Sequence, residues 1–414
     1  MMRPRIGIYD LQLRDGAGGD KRCLVMAERL SRRFDVVLIY GEPCDVPSLA
    51  SRAGASVDGV KTVQLRLPIQ AGLRRLVQSA PGGLLKKAGL ESALTRLHRA
   101  FEPTYYDQMR RLDLDLFLNN QFFSILPCPA RRGIYMCMFP HRMRGRVETD
   151  PRDGAAQRMY EIGVNRLLGM TPRVLDSYQA ITANSAFTAH WIERMWGRSA
   201  DVVYSSGVPM GPPGVKEKII LHVGRFTAPR SLGYKHQHTL VEAFRRMTDL
   251  QAQGWQLHCA GNALPDRHSA EALASLLEVA AGLPVHVHAN APFPVLRDLY
   301  RRASIYWHAT GYGSSEELHP DRQEHFGLTV VEAMSAGAVP VVLRSGGPKE
   351  TIQDGVTGYL WDSLDDLARI TRRLAADPEV LRSCREQCVP WSAQFSSSAF
   401  ADRVDRIVDR VLNL

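Results

Sequence analysis

No apolar run of about 18 residues, the length a membrane-spanning helix needs, occurs anywhere in the 414-residue chain. The first residues, MMRPRIGIYD, also lack the basic stretch and apolar core of a secretion signal. Cysteine is scarce and unpaired in pattern: seven residues (23, 44, 128, 137, 259, 384 and 388), odd in number and without a CxxC spacing. That excludes a disulfide framework or a zinc cage and predicts reduced thiols in a cytoplasmic protein. Low-complexity tracts and repeats shorter than a domain are absent. The sequence pI is about 9.3, yet the basic segment has no interleaved aromatics and no nucleic-acid-binding module is present, so no nucleic-acid partner is expected.

What is present is enough apolar material, 45% of 414 residues, for large cores near the size limit of a single one, so two domains are expected. The net charge of +9 is unevenly placed, with about +10 in residues 1–210 and about −1 in the remainder, which points the first half toward something acidic. Its densest part is LRLPIQAGLRRLVQSAPGGLLKKAGLESALTRLHRA, residues 65–100, with Glu91 its single acid. Two readings fit this segment: a helix lying on anionic lipid at the inner face of the membrane, or a solvated helical pair packing its leucines into its own domain.

Short apolar runs alternate with helical stretches. RIGIYD (5–10), a helix over Lys21 to Arg33 and DVVLIY (35–40) begin the series, which continues through TVQLRLP, DLFLNN, GIYMCMF, AITANS and DVVYSSG. This is the grammar of βαβ units. GVPMGPPGVKEK (207–218) breaks it and reads as a linker. A second series follows: IILHVGR (219–225), QLHCAGN (256–262), VHVHAN (285–290), SIYWHAT (304–310) and VPVVLRSGG (339–347). The expectation is an α/β chain of two parallel-sheet domains facing a central cleft: 1–207, a linker at 208–217, 218–394, and 395–414 as a separate C-terminal helix.

Open parallel sheets bind ligands beyond the carboxyl ends of their strands, where helix N-termini present amide N–H groups. After the first strand, GAGGD lets Gly18 and Gly19 approach an anion or sugar closely, or simply makes a tight turn. In LHVGRFTAPRSLGYKHQHTLVEAF a strand delivers Arg225 and the following loop Lys235, a planar fork and a point charge suited to a departing diphosphate without a metal ion. In EHFGLTVVEAMSAG a helix start near Gly327 aims the N–H groups of Gly327, Leu328 and Thr329 outward. Glu324 precedes that start and Glu332 lies two turns along it, placing one carboxylate for sugar hydroxyls and the other for a ribose diol. The competing reading makes Glu324 a solvated loop acid and Glu332 a half-buried partner of a lysine.

The run EHFGLTVVEAMSAGAVPVVLRSGGPKETIQDGVTGYLW resembles the donor-site signature of the retaining, GT-B-fold glycosyltransferases of family 4, with the glutamate, seven residues, glutamate pattern intact. The resemblance extends over VGRF with Lys235, GAGGDKRCLVMAERL and ITANSAFTAHWIERMWG (181–197). It implies that Arg225 and Lys235 contact the donor diphosphate, Glu332 the ribose and Glu324 the transferred sugar. Phe326, Gly327 and Leu328 join the donor-binding set, Gly18 and Gly19 line the cleft opposite, and FSSSAFADRVDRIVDRVLNL (395–414) is the crossing helix. It departs from many relatives in placing His236 after Lys235 where they have glycine. Met138 likewise replaces the histidine before Phe-Pro, leaving His141 as the candidate for that role near sugar or acceptor. His236, His238, His286 and His288 read as sheet and loop residues.

Asp113, Leu114 and Asp115 form a DxD triplet ahead of a strand rather than after it, so no catalytic metal and no cofactor are expected. The reaction implied is retaining transfer of a hexose from a nucleotide-diphosphate sugar to a glycan or lipid-linked acceptor. GDP-mannose leads UDP-glucose and UDP-N-acetylglucosamine because EHFG, VVEAM and SGGPKE are similar to mannosyltransferases of lipid-linked oligosaccharides. A soluble small-molecule acceptor, a nucleotide-sugar epimerase and a non-catalytic sugar-nucleotide sensor are the alternatives; the presence of Glu324 counts against the last.

Overall fold

The structure, a computed structural model, describes residues 3–11, 13, 18–41, 44–65, 105–144, 154–228, 233–264 and 266–413. The basic segment at 65–100 lies, but for Leu65, outside the described residues, as do residues 16 and 17 of GAGGD. Two compact units make up the chain: Met1–Val203 with Phe400–Leu414, and Tyr204–Ala399.

The first unit carries β1 (Arg5–Tyr9), β2 (Asp35–Tyr40), β3 (Lys61–Gln64), β4 (Leu116–Asn119), β5 (Arg132–Cys137), β6 (Ala180–Ala183) and β7 (Asp201–Val202) in the order β3-β2-β1-β4-β5-β6-β7. The second carries β8 (Glu217–Val223), β9 (Gln256–Gly261), β10 (Val285–Ala289), β11 (Ala303–His308), β12 (Val339–Leu343) and β13 (Tyr359–Trp361) in the order β10-β9-β8-β11-β12-β13. Every paired strand runs parallel to its neighbour. Both sheets are Rossmann-like, with the strand order reversing between β1 and β4 and between β8 and β11, and such switch points are where open α/β sheets hold ligands. Helices cover both faces, so the central strands are continuous apolar runs rather than alternating ones: β11 is buried at all six residues and β12 at all five.

The helix Ser397–Leu412 packs into the first unit's core through Phe400, Val404, Ile407, Val408 and Val411. Arg29 of the helix Gly18–Ser31 pairs with Asp402 and Asp405 of this last helix, and Arg33 with Asp409. The chain leaves the first unit at Val203, four residues before the expected boundary, and the expected linker is packed rather than free. Met210 is buried, and Lys216 Nζ donates to the carbonyls of Ala303 (2.9 Å) and Ala336 (2.7 Å). The first helix starts at Gly18, earlier than Lys21, and carries Asp20 in its first turn, where the helix dipole favours an acid. Strand β13, three residues long, has no counterpart in the sequence reading. No helix among the described residues is long and apolar enough to cross a membrane.

Candidate active site

The site forms at the carboxyl ends of β8 and β11, the second unit's switch point. Past β8 the backbone keeps following β9: Gly224 N–H donates to Ala260 and Phe226 N–H to Asn262, each at 2.9 Å. Gln237, the buried first residue of the helix Gln237–Arg245, donates to the carbonyls of Gly224 (3.1 Å) and Arg225 (3.0 Å). This fixes the turn and leaves the Arg225 side chain exposed. A Cβ on Gly224 would stand 2.6 Å from Lys235 Cγ and 2.8 Å from Lys235 Cβ, so the lysine stem crosses directly over this glycine. His236 caps the helix with φ 59° and ψ 31°. That left-handed conformation is where glycine fits without strain, which accounts physically for the glycine that relatives carry there.

Lys235 Nζ reaches Glu324 Oε2 at 2.6 Å, with side-chain exposures of 19% and 20%. Glu324 arrives from the loop after β11, and its backbone carbonyl accepts from Gly347 N–H at 2.8 Å. The loop after β12 is tied down further by Glu316, whose carboxylate accepts from Gly346 N–H (2.9 Å) and from Lys349 Nζ (2.8 Å). Burial alone would raise the Glu324 carboxyl, but the Lys235 charge and the neighbouring His308 outweigh it and hold the group well below the usual carboxylate range. Glu324 is therefore an ionised acceptor, able to take hydrogen bonds from hydroxyls and to give none.

Three residues on, Gly327 caps the helix Leu328–Ser335 at φ 94°, with no side chain filling the cap. The first-turn N–H groups are thus not covered by a cap side chain, and with the helix dipole they suit a phosphate. Thr329 Oγ1 accepts from Tyr306 Oη at 2.7 Å, which pins that turn to β11.

The other expected residues divide. Glu332 is 8% exposed and engaged, Oε2 accepting from Tyr300 Oη and Oε1 from Val208 N–H, both at 3.1 Å. A carboxylate retains further lone pairs beyond these two contacts. Burial first, then the Glu332 charge, pushes the Tyr300 phenol well above its ordinary range. Phe326 differs from expectation: it is 3% exposed and stacks on Tyr204 and against Phe395, so its side chain serves packing and only its backbone remains for a ligand. Leu328 packs beside the same cluster.

In the first unit, Gly18 and Gly19 open the helix that follows β1, and a Cβ on Gly19 would meet Met138 Cε at 3.3 Å. Asn120, just past β4, donates to Asp10 Oδ2 (2.8 Å) and Gly19 O (3.2 Å) and accepts from Arg22 Nε (2.8 Å). Burial lowers the Arg22 guanidinium to about 10, with Asp10 opposing the shift. His141 lies beyond β5 with its ring 4.0 Å from that of Phe123, and its carbonyl accepts from Trp196 Nε1 at 2.6 Å. Asp115 of the DxD triplet sits at the amino end of β4 and accepts from Arg5 N–H at 2.8 Å. Among the described residues no three His, Cys, Asp or Glu side chains are grouped to hold a metal ion. Gln237, Tyr300, His308 and Asn120 were not anticipated; each acts through tertiary neighbours that no local spacing reveals.

Residues 211–388 match the family described as Glycosyl transferases group 1. The alpha-1,3/1,6-mannosyltransferase alg-2 of Neurospora crassa is 23% identical over 443 residues, covering 96% of this chain and 88% of that protein. A GDP-Man:Man(3)GlcNAc(2)-PP-Dol alpha-1,2-mannosyltransferase of Xenopus laevis is 33% identical over 124 residues, covering 29% of this chain and 23% of that protein. Among solved structures, the sucrose-phosphate synthase of Thermosynechococcus elongatus is 17% identical with a TM-score of 0.65, over 99% of this chain and 100% of that one. Anabaena HepE, solved with UDP and glucose, is 14% identical with a TM-score of 0.60, over 98% and 99%. These likenesses give the fold as GT-B. Through residues 211–388 the chain is similar to the group 1 glycosyl transferases, and over nearly its whole length to one of their mannosyltransferases.

Proposed function

We propose that the protein moves a hexose, with retention of anomeric configuration and without a metal ion, from a nucleotide-diphosphate sugar to a hydroxyl of a glycan or lipid-linked acceptor. GDP-mannose is the favoured donor, since the relatives above include a mannosyltransferase matched over nearly the whole chain and one named for GDP-mannose. The observation that carries the reading is the Lys235–Glu324 pair, 2.6 Å apart, beside a helix start with no side-chain cap.

In this reading Arg225 grips the diphosphate with its planar fork, Lys235 adds a point charge and the Gly327 helix end contributes oriented N–H groups. Together they stabilise the negative charge that grows as the bond from the anomeric carbon to the phosphate oxygen breaks. Glu324 accepts from the sugar hydroxyls and Glu332 from the ribose. The acceptor oxygen bonds to the anomeric carbon on the face the leaving group vacates, and its proton passes to the departing phosphate oxygen, so no second carboxylate is required. The acceptor belongs to the first unit, whose positive charge suits a diphosphate-linked lipid or an anionic membrane surface contacted through residues 65–100. Gly18, Gly19 and His141 are assigned to that side.

The test is incubation with GDP-mannose, UDP-glucose and UDP-N-acetylglucosamine in turn, plus a diphosphate-lipid glycan acceptor, with the product linkage read by NMR. The expected product keeps the donor's anomeric configuration, and Lys235→Ala loses both donor binding and turnover. An inverted linkage, or free epimerised sugar released without acceptor, overturns the reading.

A further inference from the structure

His308 ends β11 and is 1% exposed. Neither of its ring nitrogens has a hydrogen-bond partner among the described residues. Nε2 stands 3.5 Å from Glu324 Oε2, the oxygen that also takes Lys235 Nζ. A buried imidazole left in this condition is uncommon and calls for a functional explanation.

The charged and titratable groups around it come from three elements. His222 of β8 is fixed by Nδ1 to the Trp307 carbonyl at 2.9 Å. Lys235 and His236 approach from the start of the helix Gln237–Arg245, and Glu324 from the loop after β11. Burial first, then the Lys235 charge, lowers His308, while Glu324 pulls it up. His222 and His236 are likewise lowered, first by burial and then by His308 and Lys235 among their neighbours. With no donor bound, His308 is neutral and Glu324 is balanced by Lys235.

We propose that His308 is a positioning residue that replaces Lys235 as the partner of Glu324 when a donor diphosphate draws the lysine away, taking up a proton from solvent as it does so. The inference rests on the donor-site reading above. A diphosphate at Lys235 removes the cation from a largely buried carboxylate, and a shift of under about 1 Å brings His308 Nε2 into charge-assisted hydrogen-bond range. Each negative group then keeps its own cation: the diphosphate Lys235, and Glu324 the imidazolium. The carboxylate stays ionised and aimed at the sugar throughout.

The signature is proton uptake on donor binding. Sugar nucleotides are the right probe because each of their phosphates carries one ester and one anhydride linkage, leaving only a strongly acidic hydroxyl and no proton to exchange near neutrality. GDP-mannose and UDP-glucose are titrated calorimetrically into the whole protein at pH 7 in two buffers of different ionisation enthalpy. The wild type is expected to take up a substantial fraction of one proton, with affinity rising as pH falls from about 8 to about 6 by at most about tenfold per pH unit. His308→Gln, which can still donate to Glu324 without titrating, should bind the same donor with uptake near zero and a flattened pH profile. Glu324→Gln, with His308 intact, should lose the uptake as well, which covers the case where His308→Gln does not fold. Binding by the wild type without proton uptake, or equal uptake in the His308 variant, overturns the inference alone. Failure of any sugar nucleotide to bind overturns the donor reading and this inference with it.

Discussion

Replacing Glu324 by Gln should tighten the binding of a bare nucleoside diphosphate while nearly abolishing transfer. Lys235 Nζ is held at 2.6 Å by the Glu324 carboxylate, and each side chain is only about one-fifth exposed. A diphosphate has to draw the lysine out of that pair. A hydrogen bond to a charged group contributes about 1.5–3 kcal/mol, and an amide oxygen in place of the carboxylate keeps roughly half of it. The competing interaction therefore weakens by about 1 kcal/mol, and removing a negative charge beside an incoming anion acts in the same direction. Affinity for GDP or UDP, measured by calorimetric titration, should rise by about fivefold. Turnover with the full donor should fall by about 10²–10³, the usual loss when a group aligned with the reacting sugar is removed. Unchanged or weaker diphosphate affinity, with turnover retained, would refute the competition and the assignment of both residues.

Other outcomes follow from the same geometry. Gly224→Ala pushes a methyl group into the Lys235 stem, so denaturant unfolding should show a loss of about 1–3 kcal/mol with weakened donor affinity; a neutral result would mean the stem moves aside freely. Acidification should destabilise the protein below pH 6.5. His222 is lowered by burial to about 3, and His236 and His325 to about 4, so the unfolded chain binds more protons throughout that range. His222 alone costs about 2 kcal/mol at pH 5, and Glu324, held low in the fold, adds a loss of the same sign at still lower pH. A melting temperature flat from pH 7 to 5 would contradict these burials. Phe400→Ala, at a fully buried position of the last helix, should cost about 3–5 kcal/mol. Arg33→Ala breaks an exposed pair with Asp409 and should cost under about 1 kcal/mol; equal melting temperatures for the two variants would show that this helix is not held by its apolar face.

Much of this was legible because buried parallel strands leave a strong signature. SIYWHAT and VPVVLRSGG are apolar throughout, and helices covering both faces of a sheet permit no other pattern. Gly327 was legible too, since the cap stands at φ 94°, where glycine fits without strain. The short strand Tyr359–Trp361 was not, because three residues carry no period. The segment around Val208 read as a linker from its glycines and prolines, yet it is held by a hydrogen bond to Glu332 from a backbone group that has no sequence signal. Phe326 shares its motif with ligand-facing residues but packs on Tyr204 and Phe395, partners 122 and 69 positions away. His308 has no sequence signal beyond its place in the apolar run SIYWHAT. What distinguishes it is its distance from Glu324, a property of the loop that brings the glutamate back rather than of either residue.

In the proposed function the carboxyl ends of β8 and β11 hold a nucleotide-diphosphate sugar between Arg225, Lys235, Glu324 and the Gly327 helix start. The most direct test is a thermal-shift panel of GDP-mannose, UDP-glucose, UDP-N-acetylglucosamine and their free nucleotides, run on the wild type and on Lys235→Ala. A ligand that binds only the native state at 100 times its Kd stabilises it by about 2.7 kcal/mol. One sugar nucleotide, with GDP-mannose favoured, should raise the melting temperature by several degrees, and the variant should lose most of that shift. No shift with any of them, or an equal shift in Lys235→Ala, would contradict it.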